Sequence, residues 1–310
     1  MSLDSKQAAG EKAADKLTAQ LERELIKAYA AGLKSIRAQI AEVYARYGTD
    51  SGLTYSEMQK YNRLANLEKQ IMDELKKLTG KNAKSLEVAL GLIFQSGYYY
   101  TAYALESELG LRLGFGLLNP EVIKASIQNP ISGLTLNETL AKRRAEILIR
   151  LRQEITQGLI NGESYKSMAE RLKTTLEGDA QKALLVAQTE AHRVQNEGRV
   201  ASLDKATSTG LELERIWTAT LDERTRQRHR ELDGMVADKD GVFKFKGMTA
   251  RYPGGWGVAS MDIRCRCAVR GRVRGVQQSN FRSARNQSTG KSELVPNMTY
   301  AEWAALKGVK

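Results

Sequence analysis

Trp217–Gly234 reads WTATLDERTRQRHRELDG, and Met261–Val269 reads MDIRCRCAV. A glycine-rich passage separates them. One of the two histidines (His229), both cysteines (Cys265 and Cys267) and the acidic pair Asp222 and Asp233 lie here. The stretch decides the fold because hydrophobic periodicity changes at its border. After TSTG (207–210), LELERIWTAT reads as a strand. Asp222–Thr225 is a turn, and Arg226–Leu232 is a short helix closed by Asp233-Gly234. Asp238–Gly241 is a hairpin-type turn before the strand VFKFK (242–246). KGMTARYPGGWGVAS is irregular. In DIRCRCAVR, Ile263, Cys265, Cys267 and Val269 alternate with Arg264, Arg266 and Arg270, which predicts a strand with one basic face.

Upstream, the pattern is helical. Tyr29, Leu33, Ile36, Ile40, Val43 and Tyr47 form an a/d seam that Gly48 ends. Thr54 and Glu57 carry a capping-box signature for a second helix with Leu64, Leu67, Ile71, Leu75 and Leu78, which Gly80 is expected to stop. An aromatic-rich helix follows over 83–109, then a glycine-rich break, GLRLGFGLLNP (110–120). Further helices are expected from Leu134 or Thr135 to Asn161, from Ser164 to Leu176, and from a cap at Asp179 to about Leu203. Glu190, Arg193 and Glu197 share a face of the last, and His192 and Asn196 share a neighbouring one.

The expected class is a mostly α protein with an N-terminal helical hairpin or arm and a small C-terminal α+β domain. Its expected divisions are a flexible N-terminus over 1–19, either a frayed helix or disordered, a hairpin with the aromatic helix over 20–110, a helical lead-in over 111–206, the α+β domain over 207–275, and a basic tail over 276–310 with a short terminal helix. In the tail, TYAE (299–302) is a capping box that opens a terminal helix.

With 310 residues the chain can bury a sizeable core. Two cysteines fit a reduced compartment or indifference to redox state. The polar N-terminus has no signal-peptide h-region, and Leu86–Leu105, the longest apolar run, is broken by Glu87, Gln95 and tyrosines. The default is a soluble intracellular protein. Net charge is +12, unevenly spread: 29 Lys/Arg face 27 Asp/Glu over 1–214, but 16 face 7 over 215–285. A localised, arginine-rich positive field fits a polyanion partner, and equally a solvated basic surface.

Three chemistries can be weighed. His229, Cys265 and Cys267, with Asp222, Asp233 or Asp262, could hold zinc. However, Cys-x-Cys is not the usual knuckle spacing, and two buried strand cysteines are the simpler reading. Asp222, His229 and Asp233 could serve a metal-dependent nuclease, though at no diagnostic spacing. No P-loop, nucleophile elbow or dinucleotide fingerprint is present. The arginine face Arg264, Arg266, Arg270, Arg272 and Arg274, continued by Arg282 and Arg285, could follow a DNA phosphate backbone without reading sequence.

The chain resembles the phage minor head, or head morphogenesis, proteins with a phage Mu protein F-like domain. YARYGTDSGLTYSEMQKYNRL (44–64) looks like the N-terminal hairpin of the Gram-positive phage branch. LINGESYKSMAERL (159–172) and AQTEAHRVQNEGR (187–199) are similar to its helical lead-in. WTATLDERTRQRHRELDG and the later CRC form its signature core, and GKSELVPNMTYAEW (290–303) its usual ending. The signature residues here are Glu190, Arg193, Trp217, Asp222, Arg226, His229, Asp233, Gly234, Asp262, Cys265 and Cys267.

Many members read T-C-x-x-C before LDG and H-P-x-C-R-C at the end, which implies a metal cluster. Here Arg226 and His229 stand at the two CxxC positions and Asp262 at that histidine. An Arg226–Asp262 ion pair is therefore expected to replace part of the metal site. The resemblance implies a low-copy, non-catalytic virion protein, made in the host cytoplasm and incorporated into the procapsid. Its implied partners are the portal protein, capsid or scaffold proteins and packaged double-stranded DNA, with no membrane in the mature head. Some relatives carry toxin domains after this module, and none is expected in this chain, which ends too soon to hold one.

Overall fold

The computed structural model describes residues 3–49, 52–129, 131, 133–276, 281–285 and 292–307. It is 68% helical, with small antiparallel sheets near the C-terminus, which is the expected class. The helices are α1 (Leu3–Tyr47), α2 (Tyr55–Gln59), α3 (Arg63–Leu109), α4 (Pro120–Gln128), α5 (Leu136–Ile160), α6 (Tyr165–Ser208), α7 (Gln227–Glu231), α8 (Ala259–Asp262) and α9 (Tyr300–Lys307). The strands are β1 (Leu213–Thr218), β2 (Phe243–Phe245), β3 (Met248–Ala250), β4 (Ala268–Val273), β5 (Phe281–Arg285) and β6 (Ser292–Pro296). They pair as β1–β4, β2–β3 and β5–β6.

The chain forms two compact units. One comprises residues 20–87 and 134–187, and the other 1–19, 88–133 and 188–310. These boundaries cut across the linear divisions drawn from sequence.

The first unit is helical. The seam residues Ile36 and Ile40 of α1 and Leu64, Leu67, Ile71, Leu75 and Leu78 of α3 are buried. Ile147, Leu151 and Ile155 of α5 and Leu172 and Leu176 of α6 pack with them. Burying each such side chain contributes roughly 1.5–3 kcal/mol. Asp179, expected as a helix cap, lies inside α6 and accepts a 2.7 Å hydrogen bond from the Tyr29 hydroxyl.

The second unit holds the α+β region. Trp217 of β1 is its fully buried centre. Its ring meets Phe243 at 5.3 Å, Trp256 at 5.5 Å and His229 at 6.3 Å between centroids. β1 pairs with β4 so that Trp217 faces Val269 and Glu214 faces Arg272. The β2–β3 hairpin turns at Lys246 and Gly247, both at positive φ (49° and 80°), as a two-residue hairpin turn requires. Leu221, Ala284, Tyr300 and Trp303 form a smaller core beneath α9. The Thr299–Glu302 capping box opens α9: the Glu302 carboxylate accepts from the Thr299 amide at 2.6 Å.

Several expectations are corrected. Residues 3–19 belong to α1, held where Gly10 packs on the Tyr100 side chain and Glu11 pairs with Arg199. α3 runs through Gly80, and α6 runs through Gly178. One helix-interior glycine costs about 1 kcal/mol, less than the packing on either side returns. α4 was not expected. Asn119 caps it and Pro120 starts it. The strand expected over 263–270 begins only at Ala268. Met261 and Asp262 close α8, Arg264 takes a left-handed φ of 56°, and Cys265 and Cys267 lie outside any strand. In the tail, β5 and β6 form a ladder. Residues 277–280 and 286–291 lie outside the described part.

Candidate functional site

The C-terminal half of α6 organises the site through two polar faces. On one, Arg193 is 1% exposed, so its charge must be met internally. Its guanidinium donates to Glu190 at 2.9 Å, to Glu197 at 2.7 Å and to the Ser126 carbonyl of α4 at 2.7 Å. The Ser126 hydroxyl donates to Glu197 at 2.6 Å. The network ties α4 to α6.

On the other face, Asn196 is fully buried and behaves like a short piece of strand. Its amide nitrogen donates to the Cys267 carbonyl at 3.1 Å, and its carbonyl oxygen accepts from the Val269 amide at 3.0 Å. The His192 Nε2 also reaches the Cys267 carbonyl, at 2.6 Å. A carbonyl only accepts, so Nε2 carries the proton. Burial, then the nearby Arg199 charge, pushes the His192 pKa down to about 3, which keeps the ring neutral.

His229, Cys265 and Cys267 come together beneath this clamp, all at 3% exposure or less. The His229 Nδ1 is 3.2 Å from the Cys267 sulfur and 3.6 Å from that of Cys265. Burial raises both thiols. For Cys267, hydrogen bonds from Cys265 and His229 outweigh burial and bring it down to about 5, while Cys265 stays well above its usual value. The cluster therefore resembles a thiolate held by a thiol and an imidazole. His229 Nε2 is buried with no hydrogen-bond partner among the described residues.

Their three ligand atoms lie within 4.8 Å of one another, and no fourth His, Cys, Asp or Glu joins them among the described residues. A closed structural zinc site needs four ligands. Asp262 does not supply one. Its carboxylate accepts from the Trp256 and Val258 amides, each at 3.1 Å. Nor does it pair with Arg226, which donates to the Met261 carbonyl at 2.9 Å. The expected Arg226–Asp262 ion pair is thus replaced by a loop cap and a side-chain-to-backbone bond. The donor set does not complete a structural zinc site.

Asp222 and Asp233 do not gather around His229. Asp222, 1% exposed, is held by the Arg266 guanidinium through both oxygens, one contact at 2.8 Å. Asp233 is held by Arg282 through two 3.0 Å bonds and accepts from the Ala219 and Tyr300 amides at 2.7 Å. Gly234, at φ 80°, turns the chain away after Asp233.

The arginine row is correspondingly not one free face. Arg266 and Arg282 are committed to Asp222 and Asp233. Arg270 is buried and lies 3.6 Å from Glu11. Arg272 binds Glu214 directly across the β1–β4 ladder, with its Nε at 2.6 Å, and Arg274 reaches Glu212 at 3.1 Å. Arg264 is exposed. The side chain of Arg285 lies outside the described part. Sequence reading missed Ser126 as a partner of Arg193, and Tyr252, whose hydroxyl accepts from the Asn129 side-chain amide at 3.0 Å. Each is an ordinary residue whose role depends on a distant partner.

Fold and site together define a helical protein with a small α+β region in which His229 and the two cysteines are bound to one another and Asp222 and Asp233 to arginines. Residues 150–270 match the Phage Mu protein F like protein family. The chain is 34% identical over 302 residues to the minor head protein GP7 of Bacillus phage SPP1, covering 94% of each protein. The chain belongs to this phage minor head, or head morphogenesis, protein family. It is also 29% identical over 286 residues to an Enterococcus faecalis protein named NAD(+)–arginine ADP-ribosyltransferase EFV, covering 92% of this chain but 57% of that protein. No solved structure matches.

Proposed function

We propose that this chain is a structural component of a phage head. It is incorporated with the portal into the procapsid, contacts capsid or scaffold proteins and double-stranded DNA, and aids assembly and genome delivery without catalysis. The observation that carries the reading is similarity to a minor head protein along 94% of both chains.

The geometry supports a non-catalytic role. The groups that a metal-dependent nuclease would draw on are each bound elsewhere: Asp222 to Arg266, Asp233 to Arg282, and His229 to the two cysteines. A nuclease needs solvent-facing carboxylates that share a cation, and these are buried and separately neutralised. The similarity to the transferase leaves 43% of that enzyme unspanned. For the DNA contact, Arg264 and Arg274 are the exposed members of the expected row whose side chains the structure describes.

The test is assembly of heads with and without the chain. Purified heads are expected to contain it together with the portal, and heads lacking it are expected to lose infectivity while their shells still form. Its absence from purified heads would overturn the reading.

A further inference from the structure

Most basic side chains of the Arg264–Arg282 row are neutralised inside the fold, so their number overstates the field offered to a polyanion. Arg266, Arg272, Arg274 and Arg282 each have a carboxylate at ion-pair distance, and Arg270 is buried near Glu11. Three guanidiniums nearby are different. Arg224, Arg228 and Arg264 are exposed, and no ion pair holds any of them among the described residues.

These three come from two segments that are fastened side by side. Arg226 donates to the Met261 carbonyl, Arg266 grips Asp222, and His229 touches both Cys265 and Cys267. Arg224 is two residues from Asp222, Arg228 adjoins His229, and Arg264 adjoins Cys265. The buried contacts thus fix the backbone from which three free guanidiniums project.

Arg264 adds an independent observation. It sits at φ 56°, a region that suits glycine or asparagine and costs energy for a long side chain. Its amide is held by the Thr189 hydroxyl oxygen at 3.4 Å. An arginine kept at a position where glycine would fold more easily points to a use for its charge.

We propose that Arg224, Arg228 and Arg264 form the edge that meets the phosphate backbone of double-stranded DNA. This rests on the DNA contact in the proposed function, and it moves the main contact from the β4 row to the α7–α8 side of the buried cluster. Guanidinium groups bind phosphate oxygens through paired N–H donors, and backbone contact alone gives binding without sequence preference. Each phosphate contact contributes about 0.9 to the slope of log affinity against log salt.

The experiment is fluorescence anisotropy of the full-length chain on a mixed-sequence DNA duplex across a salt series. The variants are Arg224→Gln/Arg228→Gln/Arg264→Gln, Arg272→Gln/Arg274→Gln, and Arg264→Gly alone, each with its thermal midpoint. The triple variant is expected to lower the slope by about 2 to 3, and Arg272→Gln/Arg274→Gln to change it by less than about 1. Arg264→Gly is expected to lower it by about 1 with a thermal midpoint no lower than wild type, separating lost contact from lost fold. Wild-type binding with an unchanged slope in the triple variant would overturn this inference and leave the DNA contact standing. No wild-type binding at low salt would overturn both and turn the edge toward an acidic protein surface.

Discussion

Gly97 of α3 and Gly198 of α6 meet backbone to backbone. A Cβ on Gly97 would overlap the Gln195 carbonyl oxygen and lie 3.3 Å from the Arg199 nitrogen. One on Gly198 would overlap the Phe94 carbonyl oxygen and lie 3.2 Å from the Tyr98 nitrogen. Neither neighbour is a flexible side-chain tip. Gly97→Ala or Gly198→Ala must therefore separate the helices, at a cost of about 2 kcal/mol or more. Gly80→Ala is the control, because nothing lies within 4 Å of its Cβ position. There alanine's helix propensity is expected to add about 0.5–1 kcal/mol. Urea unfolding of the three variants checks the opposite signs.

Arg282 and Asp233 form an ion pair with side chains 7% and 3% exposed. Arg282 also donates to the Met298 and Ala219 carbonyls, each at 2.6 Å, so it joins the tail to the segment that follows β1. Arg282→Met leaves a buried carboxylate with only two amides. Breaking a buried pair from one side costs about 3–5 kcal/mol. Tryptophan fluorescence under denaturant should show that loss. An Arg282→Met midpoint equal to wild type would mean the tail is not anchored there.

Thr54 was expected to open the seam helix, but it caps only the five-residue α2, because Tyr61 and Asn62 take left-handed φ values before α3 begins at Arg63. The helical seams, the cap at Thr299 and the β1 strand were legible because each is set by residues a few positions apart. Helix continuity through Gly80 and Gly178 was not. A glycine's local cost is visible in sequence, whereas the tertiary packing that outweighs it is not. The alternation around Cys265 misled for a related reason: a helix end, a left-handed arginine and a strand start reproduce the same apolar–basic pattern. The clustering of His229 with the cysteines could be suspected from composition. The pairing of Arg282 with Asp233, 49 residues away, could not.

His192 gives the fold an acid sensitivity. Its folded pKa is about 3, lowered by burial and by Arg199, against about 6.5 for an unfolded histidine. Below pH 6.5 the unfolded chain takes up a proton that the folded chain refuses. Its stabilising contribution is complete above pH 6.5 and is lost progressively as pH falls toward 3. His192→Gln keeps a neutral donor for the Cys267 carbonyl and removes the titration. Unfolding free energies at pH 7, 5.5 and 4.5 should fall less steeply in the variant. Equal slopes would show that His192 titrates normally in the fold.

Cys267 combines a lowered pKa with 2% exposure, which sets two requirements against each other. A thiolate is the reactive form, but a reagent must also reach it. In native protein at pH 7, neither cysteine should react with a thiol reagent until the chain opens, and the labelling rate should follow the unfolding equilibrium as urea is added. Cys267→Ser should destabilise by about 1–3 kcal/mol, because His229 then faces a harder, smaller partner. With only three donors gathered among the described residues, a strong chelator should leave the thermal midpoint of wild-type protein unchanged. A chelator-induced drop, with stoichiometric zinc in the untreated sample, would mean that a ligand outside the described residues completes a metal centre.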